Sequence, residues 1–253
     1  MVPTGIEELD TLTGGLPRGA LSEIVGAVSS GRTGVMMSAL ACATRRQEAC
    51  ALVDTSDSFD PASAQSAGVV LDRLLWIRCS EHEVLPSRDF ARHPRPQRKA
   101  FRRLDQVLKV TDLLLQSGGF GMVVLDLGDI PAESTRRVPL TSWFRFRRTV
   151  EPTATVLLLI EQEACAKTCA SLVLELQRRS IRADGTVPEK PAETAAWRVI
   201  TSSEAAIPAT HPVSHAALLH EMQLQAKVVR SWTRKPVQSA PSAFALSAKY
   251  AIR

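Results

Sequence analysis

The chain has 253 residues, of which 45% are hydrophobic and 23% are charged, and its formal net charge is +5. This composition is that of an ordinary globular protein, with one main domain and a sizeable core. It contains no run of about 18 or more apolar residues and no basic region followed by an apolar segment at its start, which excludes a membrane span and a signal peptide. We therefore expect a cytoplasmic protein.

The first part of the chain predicts an alternation of helices and buried strands. A short helix is expected at 6–12, before a Gly-Gly-Leu-Pro turn. Apolar runs without alternation predict strands buried on both faces. These strands are expected at 21–25, 49–54, 74–78, 122–127, 155–161 and 172–177, and further helices at 33–46, 61–67, 97–117 and 140–149. The alternation predicts an α/β fold, with a mainly parallel sheet covered by helices on both faces.

The composition of the sequence changes after this core. Residues 180–215 mix charge, proline, glycine and alanine, which is typical of an irregular or partly disordered insert. Residues 222–232 and 243–252 alternate apolar and polar side chains and predict an antiparallel hairpin. We therefore expect a core at 1–179, an insert at 180–215 and a C-terminal hairpin extending the sheet at 216–253.

A glycine-rich turn between the first strand and the second helix carries the clearest chemical signal. It reads Gly-Ala-Val-Ser-Ser-Gly-Arg-Thr from residue 26 to residue 33. The P-loop pattern uses its glycines to wrap backbone N–H groups around phosphate, a lysine for the outer phosphates and a hydroxyl for Mg²⁺. Every position fits except the lysine, which is Arg32. The candidate nucleotide-binding residues are Gly26, Ser29, Ser30, Gly31, Arg32 and Thr33.

An acidic residue at the end of a later strand supplies a second element. Asp126 follows the apolar run at 122–125, in the position where an aspartate holds the Mg²⁺ that bridges nucleotide phosphates. The alternative is an aspartate that caps a helix. Together with the P-loop, the pattern favours the first interpretation, with Thr33 and Asp126 as the Mg²⁺ ligands if a nucleotide binds.

Basic residues form two groups that are candidates for phosphate contacts. One lies within 88–109, and the other comprises Arg136, Arg137, Arg145, Arg147 and Arg148. Trp143 and two phenylalanines are interleaved in the second group, which is typical of a core or of a partner-protein surface as well as of nucleic-acid binding. A solvated surface is the alternative for both groups.

The five cysteines indicate reduced thiols rather than a disulfide framework, because their number is odd and most lie in apolar runs. Cys165 and Cys169 have the spacing of half a metal site. The sequence offers no second pair at ligand spacing, so free thiols are the preferred interpretation.

Several stretches resemble the RecA recombinase core in order and spacing. They are Thr4 to Asp10, Gly14 to Gly19, the P-loop, Val53 to Pro61, Val123 to Asp126 and the segment from Ile160 to Gln162. The resemblance implies a RecA-like P-loop NTPase core, with ATP and Mg²⁺ as ligands and Gln162 as the nucleotide-sensing glutamine.

The departures from that family are as informative as the matches. Arg32 replaces a lysine, and the forked guanidinium is not a conservative substitute in a close-fitting loop. Ser56 stands where the family has the glutamate that activates water, so no catalytic residue is assigned and Asp57 is the remaining candidate for that role. The chain starts at the point matching the core, and only a short segment follows Gln162. A RecA-style filament is therefore not expected.

A RecA-like core with a degenerate Walker A motif is similar to the ImuA family, accessory proteins of SOS-induced translesion synthesis. The stretch from Val138 to Arg148 resembles an aromatic and arginine-bearing helix of that family. This resemblance implies a DNA-repair adaptor that contacts polymerase-type or other repair proteins and weakly binds nonspecific DNA, with ATP hydrolysis lost or impaired. The alternative is a DNA-dependent ATPase of recombinational repair with a variant P-loop.

Overall fold

The computed structural model describes residues 1–79, 96–178, 221–232 and 242–247. The helices are α1 (Glu7–Thr13), α2 (Arg32–Arg45), α3 (Pro61–Ser66), α4 (Pro96–Ser117), α5 (Ala132–Thr135) and α6 (Leu140–Val150). The strands are β1 (Ala20–Val25), β2 (Cys50–Asp54), β3 (Leu74–Arg78), β4 (Met122–Asp126), β5 (Val156–Glu161), β6 (Ala170–Arg178), β7 (Glu221–Ser231) and β8 (Ser242–Ser247). Short 3-10 helices span Leu71–Arg73 and Lys167–Cys169.

The strands form one sheet in the order β3-β2-β4-β5-β1-β6-β7-β8. Neighbouring strands from β3 to β6 are parallel, whereas β7 runs antiparallel to both β6 and β8. The predicted α/β class, with a mainly parallel sheet and an antiparallel hairpin at its edge, is confirmed. The domain boundaries remain a prediction, and the expected insert at 180–215 lies outside the described residues.

Both faces of the sheet are buried, which explains why the strand sequences do not alternate. Along β5, Leu158 and Ile160 join one hydrophobic cluster, while Leu157 and Leu159 join the cluster on the opposite face. The first cluster includes side chains of α1, α2 and α3, and the second includes side chains of α4 and α6. Burial on both sides is the usual environment of parallel strands.

Local signals account for several helix ends. Asp60 caps α3 by accepting hydrogen bonds from the N–H groups of Ala62 and Ser63, and Pro61 occupies the first turn. Gly14 ends α1 with a φ of +75°, a conformation that glycine adopts without a side-chain penalty. The predicted core elements agree with the observed ones to within two residues at each end, but α5 was not expected.

This topology places one end of several strands at a single edge. Because β1, β2, β4 and β5 are parallel neighbours, their carboxyl ends and the loops that follow them meet there. Open parallel sheets bind ligands at this edge. No helix in the described parts of the chain is long and apolar enough to cross a membrane.

Candidate nucleotide-binding site

The backbone of the P-loop, residues 26–33, has little room for change. A β-carbon at Gly26 would lie 2.5 Å from the carbonyl oxygen of Leu176 and 2.5 Å from Ser30 Oγ. Gly31 precedes α2 with a φ of +88°, and no acidic residue lies in the first turn of that helix. The positive end of the α2 dipole therefore faces the loop without an internal counter-charge, an arrangement that favours an anion.

The hydroxyl side chains of the P-loop differ in exposure. Ser29, whose φ is +62°, and Thr33 are exposed. Ser30 is 3% exposed, and its Oγ has no hydrogen-bond partner among the described residues. A buried hydroxyl without a partner is costly, so Ser30 Oγ is suited to contact a ligand.

Arg32 is buried although it carries a charge. Its side chain is 8% exposed, and its Nη1 has no hydrogen-bond partner in the part of the chain that the structure describes. Burial lowers the pKa of Arg32, while the carboxylates of Asp126, Asp129 and Glu161 act in the opposite direction. The guanidinium thus lies near several carboxylates but forms no direct ion pair with any residue that the structure describes, and it keeps donor capacity for a phosphate.

Asp126 and Gln162 both hold the turn that follows β4. The N–H of Gly128 donates to Asp126 Oδ1 at 2.9 Å, and Gln162 Nε2 donates to the carbonyl of Gly128 at 3.0 Å. A β-carbon at Gly128 would lie 3.1 Å from Asp126 Oδ1 and 3.3 Å from Arg32 Nη1, so both charged groups flank the same small space. Burial, opposed by the hydrogen bond from Gly128 and assisted by the nearby carboxylate of Asp54, raises the pKa of Asp126 to about 6.

The turn after β2 contains an aspartate that serves the fold. Asp54 is 1% exposed. Its carboxylate accepts hydrogen bonds from the N–H groups of Ser56, Ser58 and Phe59 and from Trp76 Nε1, at distances of 3.0 to 3.3 Å. Four donors converge on this group, which therefore fixes the turn.

Ser56 and Asp57 are also engaged within this turn. Ser56 Oγ lies 2.8 Å from Ser58 Oγ, a hydrogen bond in which either atom can donate. Asp57 has a φ of +59°, and its carboxylate forms a two-pronged ion pair with Arg78. The structure thus places the expected substitute base in a salt bridge. The structure brings the predicted P-loop residues close to Asp126 and Gln162. The described residues of the turn after β2 contribute no unpaired carboxylate to this site.

The second arginine group lies on and before α6, mostly exposed. Arg136 pairs with Glu163, and Arg145 Nε donates to Asp112 Oδ1 at 3.0 Å. Arg147 Nη1 donates to the carbonyl of Thr168 at 3.4 Å. The exposed side chains of Arg137 and Arg148 form no ion pair with another described residue. These two arginines are therefore the most available members of the group for phosphate contacts.

Trp143, grouped with these arginines as a candidate DNA or partner contact, lies instead in the core. Trp143 and Phe146 are both fully buried, and their rings meet at a centroid distance of 5.9 Å. Both belong to the cluster beneath α4 and α6, because they lie on the face of α6 that is turned to the sheet. Phe144 is the exposed aromatic residue of this helix, with 46% of its surface accessible.

A buried group beside the P-loop was missed by sequence reasoning. Glu23, Glu161 and Cys165 each offer one polar atom, and these atoms all lie within 4.8 Å of one another. Burial raises the pKa of Glu161 well above its usual range, and the Glu23 carboxylate adds to this effect. Burial, followed by the charge of Glu161, also raises the pKa of the Cys165 thiol. The signal available in the sequence was a glutamate in each of two apolar strands, Glu23 in β1 and Glu161 in β5.

Comparison with known proteins agrees with this architecture. The sequence model of the RecA N-terminal domain matches residues 1–84. The RecA proteins of Ectopseudomonas oleovorans and Symbiobacterium thermophilum are each 34% identical to this chain over 128 residues, which is 50% of this chain and 30% of theirs. The RecA protein of Rickettsia canadensis is 32% identical over 127 residues, or 49% of this chain and 31% of its own.

These similarities and the observed fold show that the chain contains a RecA-like core. The matched region spans about 30% of the length of the curated relatives. The P-loop lies within the region that matches the RecA N-terminal domain, whereas activity, substrates and partners are matters of proposal.

Proposed function

We propose that this chain is a RecA-fold accessory protein of the DNA-damage response and translesion synthesis, with its ATP hydrolysis lost or impaired. The observation that supports this most strongly is the turn after β2. Ser56 occupies the position of the water-activating glutamate, and the two carboxylates beside it, Asp54 and Asp57, are already engaged. A proton acceptor within reach of an attacking water is needed for rapid hydrolysis.

The P-loop supports nucleotide binding better than turnover. Ser30 Oγ and Arg32 Nη1 are buried polar atoms that lack partners among the described residues, and both suit a phosphate. RecA homologues bind ATP with Mg²⁺, and here Thr33 and Asp126 are the residues that would hold the metal. Mg²⁺ would neutralise charge between the phosphates. The high pKa of Asp126 and the neighbouring guanidinium of Arg32 both weaken this part of the site.

ATP turnover tests this proposal directly. Phosphate release by the full chain should not exceed that of the Asp126→Ala variant, with or without single-stranded DNA. The physical reason is that each missing electrostatic or positioning group lowers a rate by about two to three orders of magnitude. Val28→Ala is a matched control, because this side chain is 70% exposed in the same loop. Robust release that disappears in Asp126→Ala contradicts the proposal.

A second candidate function is a DNA-dependent ATPase of recombinational repair with a variant P-loop. The retained loop geometry and the position of Asp126 at the end of β4 favour it. This function requires Arg32 to take the role of the lysine. It also requires a carboxylate at another position to act as the base that activates water. The same phosphate-release experiment separates the two candidates.

We also propose that the protein binds DNA weakly through exposed arginines. Support comes from Arg137 and Arg148, which have no ion-pair partner among the described residues. Replacing both with alanine should lower affinity for single-stranded DNA and reduce the slope of log affinity against log salt by about 1 to 2. Arg145→Ala is the control, because Arg145 already pairs with Asp112. Equal effects of the two changes, or affinity independent of salt, contradict this proposal.

Partner proteins of the polymerase or repair type are proposed to bind the region 180–253. In its described part, Val229 and Trp232 are 56% and 71% exposed, which suits a protein contact. A RecA-style filament is not proposed. The chain passes from β5 to β6 through a short connection containing only the 3-10 helix Lys167–Cys169, so no long loop is available there to bind DNA.

A further inference from the structure

The parallel pairing of β1 and β5 brings two glutamates to one face of the sheet. Glu23 lies opposite Leu159 across the strand pair, and Glu161 is two residues further along β5. Because alternate residues of a strand share a face, both carboxylates point to the side covered by α4 and α6. Cys165 lies in the connection after β5, and its side chain belongs to the cluster on that same side. Glu23, Glu161 and Cys165 form the group we call the Glu-Glu-Cys cluster.

The cluster is buried, and most of its oxygens are unsatisfied. Glu23, Glu161 and Cys165 are 0%, 1% and 4% exposed. Glu23 Oε1 accepts hydrogen bonds from the N–H groups of Cys165 and Ala166, at 2.9 and 2.6 Å. Glu23 Oε2 and both carboxylate oxygens of Glu161 have no hydrogen-bond partner within the described residues. Buried carboxylate oxygens of this kind require a cation, a metal or a proton.

The unsatisfied atoms match the needs of a metal. Glu23 Oε2, one oxygen of Glu161 and Cys165 Sγ offer three donor atoms, one from each residue, and a water would complete a tetrahedral zinc site. Ligand atoms bound to zinc at about 2.0 to 2.3 Å lie roughly 3.3 to 3.8 Å from each other. The three ligand atoms lie within 4.8 Å of one another, so an approach of about 1 to 1.5 Å at most would bring them to these distances.

We propose that the Glu-Glu-Cys cluster binds a Zn²⁺ ion. A single shared proton satisfies one contact between two of these atoms, whereas zinc engages all three residues at once. The Cys165 thiol loses its proton to solvent when zinc binds, since the thiolate is the ligand form. Two carboxylates, a thiolate and Zn²⁺ leave one net negative charge, and the guanidinium of Arg32, an electrostatic neighbour of Glu161, balances it.

The location of the cluster explains what the metal would stabilise. The N–H groups of Cys165 and Ala166 hold Glu23 through its other oxygen, which orients that carboxylate toward the site. The carbonyl of Glu161 accepts a hydrogen bond from the N–H of Gly26 at 3.2 Å. Zinc would thus join β1, β5 and the connection after β5 directly behind the P-loop. This role is independent of the proposed accessory function.

Metal content of the full chain tests the proposal. Protein expressed with supplementary Zn²⁺ should contain about one zinc per chain by elemental analysis, and Cys165→Ser should lose at least about nine-tenths of it. Cys50→Ser is the matched control, because Cys50 is an equally buried cysteine on β2 outside the cluster. A chelator should lower the melting temperature of the wild-type chain and of Cys50→Ser.

A second measurement keeps the test valid if Cys165→Ser does not fold. The wild-type chain loaded with Co²⁺ should show a thiolate-to-cobalt charge-transfer band, and Cys50→Ser should show the same band. A folded wild-type chain that takes up neither Zn²⁺ nor Co²⁺ overturns the proposal. So does a Co²⁺ complex without the thiolate band, or full zinc content in folded Cys165→Ser.

Discussion

The P-loop and the turn after β2 lie at the same edge of one sheet, but their polar groups are satisfied in opposite ways. In the P-loop, Ser30 Oγ and Arg32 Nη1 are buried without partners among the described residues. In the turn after β2, Asp54 accepts four hydrogen bonds and Asp57 pairs with Arg78. A polar atom held without a partner is available to a ligand, whereas a satisfied one has become part of the fold.

This contrast separates two parts of an NTPase site that are usually considered together. Binding of phosphate depends on backbone geometry and positive donors, which the P-loop retains at Gly26, Gly31 and Arg32. Hydrolysis also depends on a carboxylate that can act as a general base on water. The described residues of the turn that contains Ser56 include no carboxylate that is not already engaged. The comparison therefore predicts a core that binds without turnover.

The largest expected effect comes from breaking the P-loop scaffold. Gly26→Ala should lower the free energy of unfolding by at least about 3 kcal/mol, because the new β-carbon would meet the carbonyl oxygen of Leu176 at 2.5 Å. Chemical denaturation measures this change. Val28→Ala, in the same loop but 70% exposed, should stay within about 0.5 kcal/mol of wild type. A stable Gly26→Ala chain would show that the loop is not tightly constrained.

A smaller effect is expected from removing Asp54, the carboxylate that accepts four hydrogen bonds in the turn after β2. Asp54→Ala should destabilise the fold by about 2 to 3 kcal/mol, since three backbone N–H groups and Trp76 Nε1 lose their acceptor. Asp57→Asn should cost less than about 1 kcal/mol, because its partner Arg78 is 55% exposed. Thermal or urea unfolding of the two variants compares them. An Asp54→Ala chain as stable as Asp57→Asn would contradict the structural role of Asp54 in this turn.

The smallest effect on stability is expected for Glu48, which precedes β2 at the opposite edge of the sheet. Changing Glu48 should leave the P-loop and the turn after β2 unchanged. Burial alone would raise the pKa of Glu48, but the hydrogen bonds and charges of Arg18 and Arg46 outweigh it and lower the pKa below its usual 4.5. Its ionised form therefore stabilises the folded state above that pH, and this contribution is lost as the pH falls through the lowered pKa. Glu48→Gln should cost about 1 kcal/mol or less at pH 7.

Unfolding curves at several pH values measure the Glu48 contribution. The difference between wild type and Glu48→Gln should shrink as the pH is lowered below about 4.5. A difference that grows on acidification would contradict the sign of the pKa change.

The sequence was sufficient to predict the elements whose signals are local. Unalternating apolar runs indicated β1, β2, β4 and β5, because parallel strands buried on both faces need apolar side chains at successive positions. The glycines of the P-loop indicated a tight turn. The alternation at 222–232 indicated the antiparallel strand β7 at the sheet edge.

Contacts between distant residues were not predictable in the same way. Cys165 and Glu23 are 142 residues apart, and only the pairing of β1 with β5 brings the Glu-Glu-Cys cluster together. Trp143 was grouped with its arginine neighbours as a candidate DNA or partner contact, but the rotation of α6 about its axis decides which residues are buried. The ion pair of Asp57 with Arg78 likewise depends on β3 lying beside β2.

The central claim, phosphate binding without turnover, is tested most directly by the nucleotide recovered from the protein. The full chain is incubated with ATP, Mg²⁺ and single-stranded DNA, separated from free nucleotide, and the bound nucleotide is identified after denaturation. We predict that the retained nucleotide is intact ATP, in the same form on wild type and on Asp126→Ala. Recovery of ADP from wild type but not from Asp126→Ala, or no retained nucleotide at all, would contradict the account.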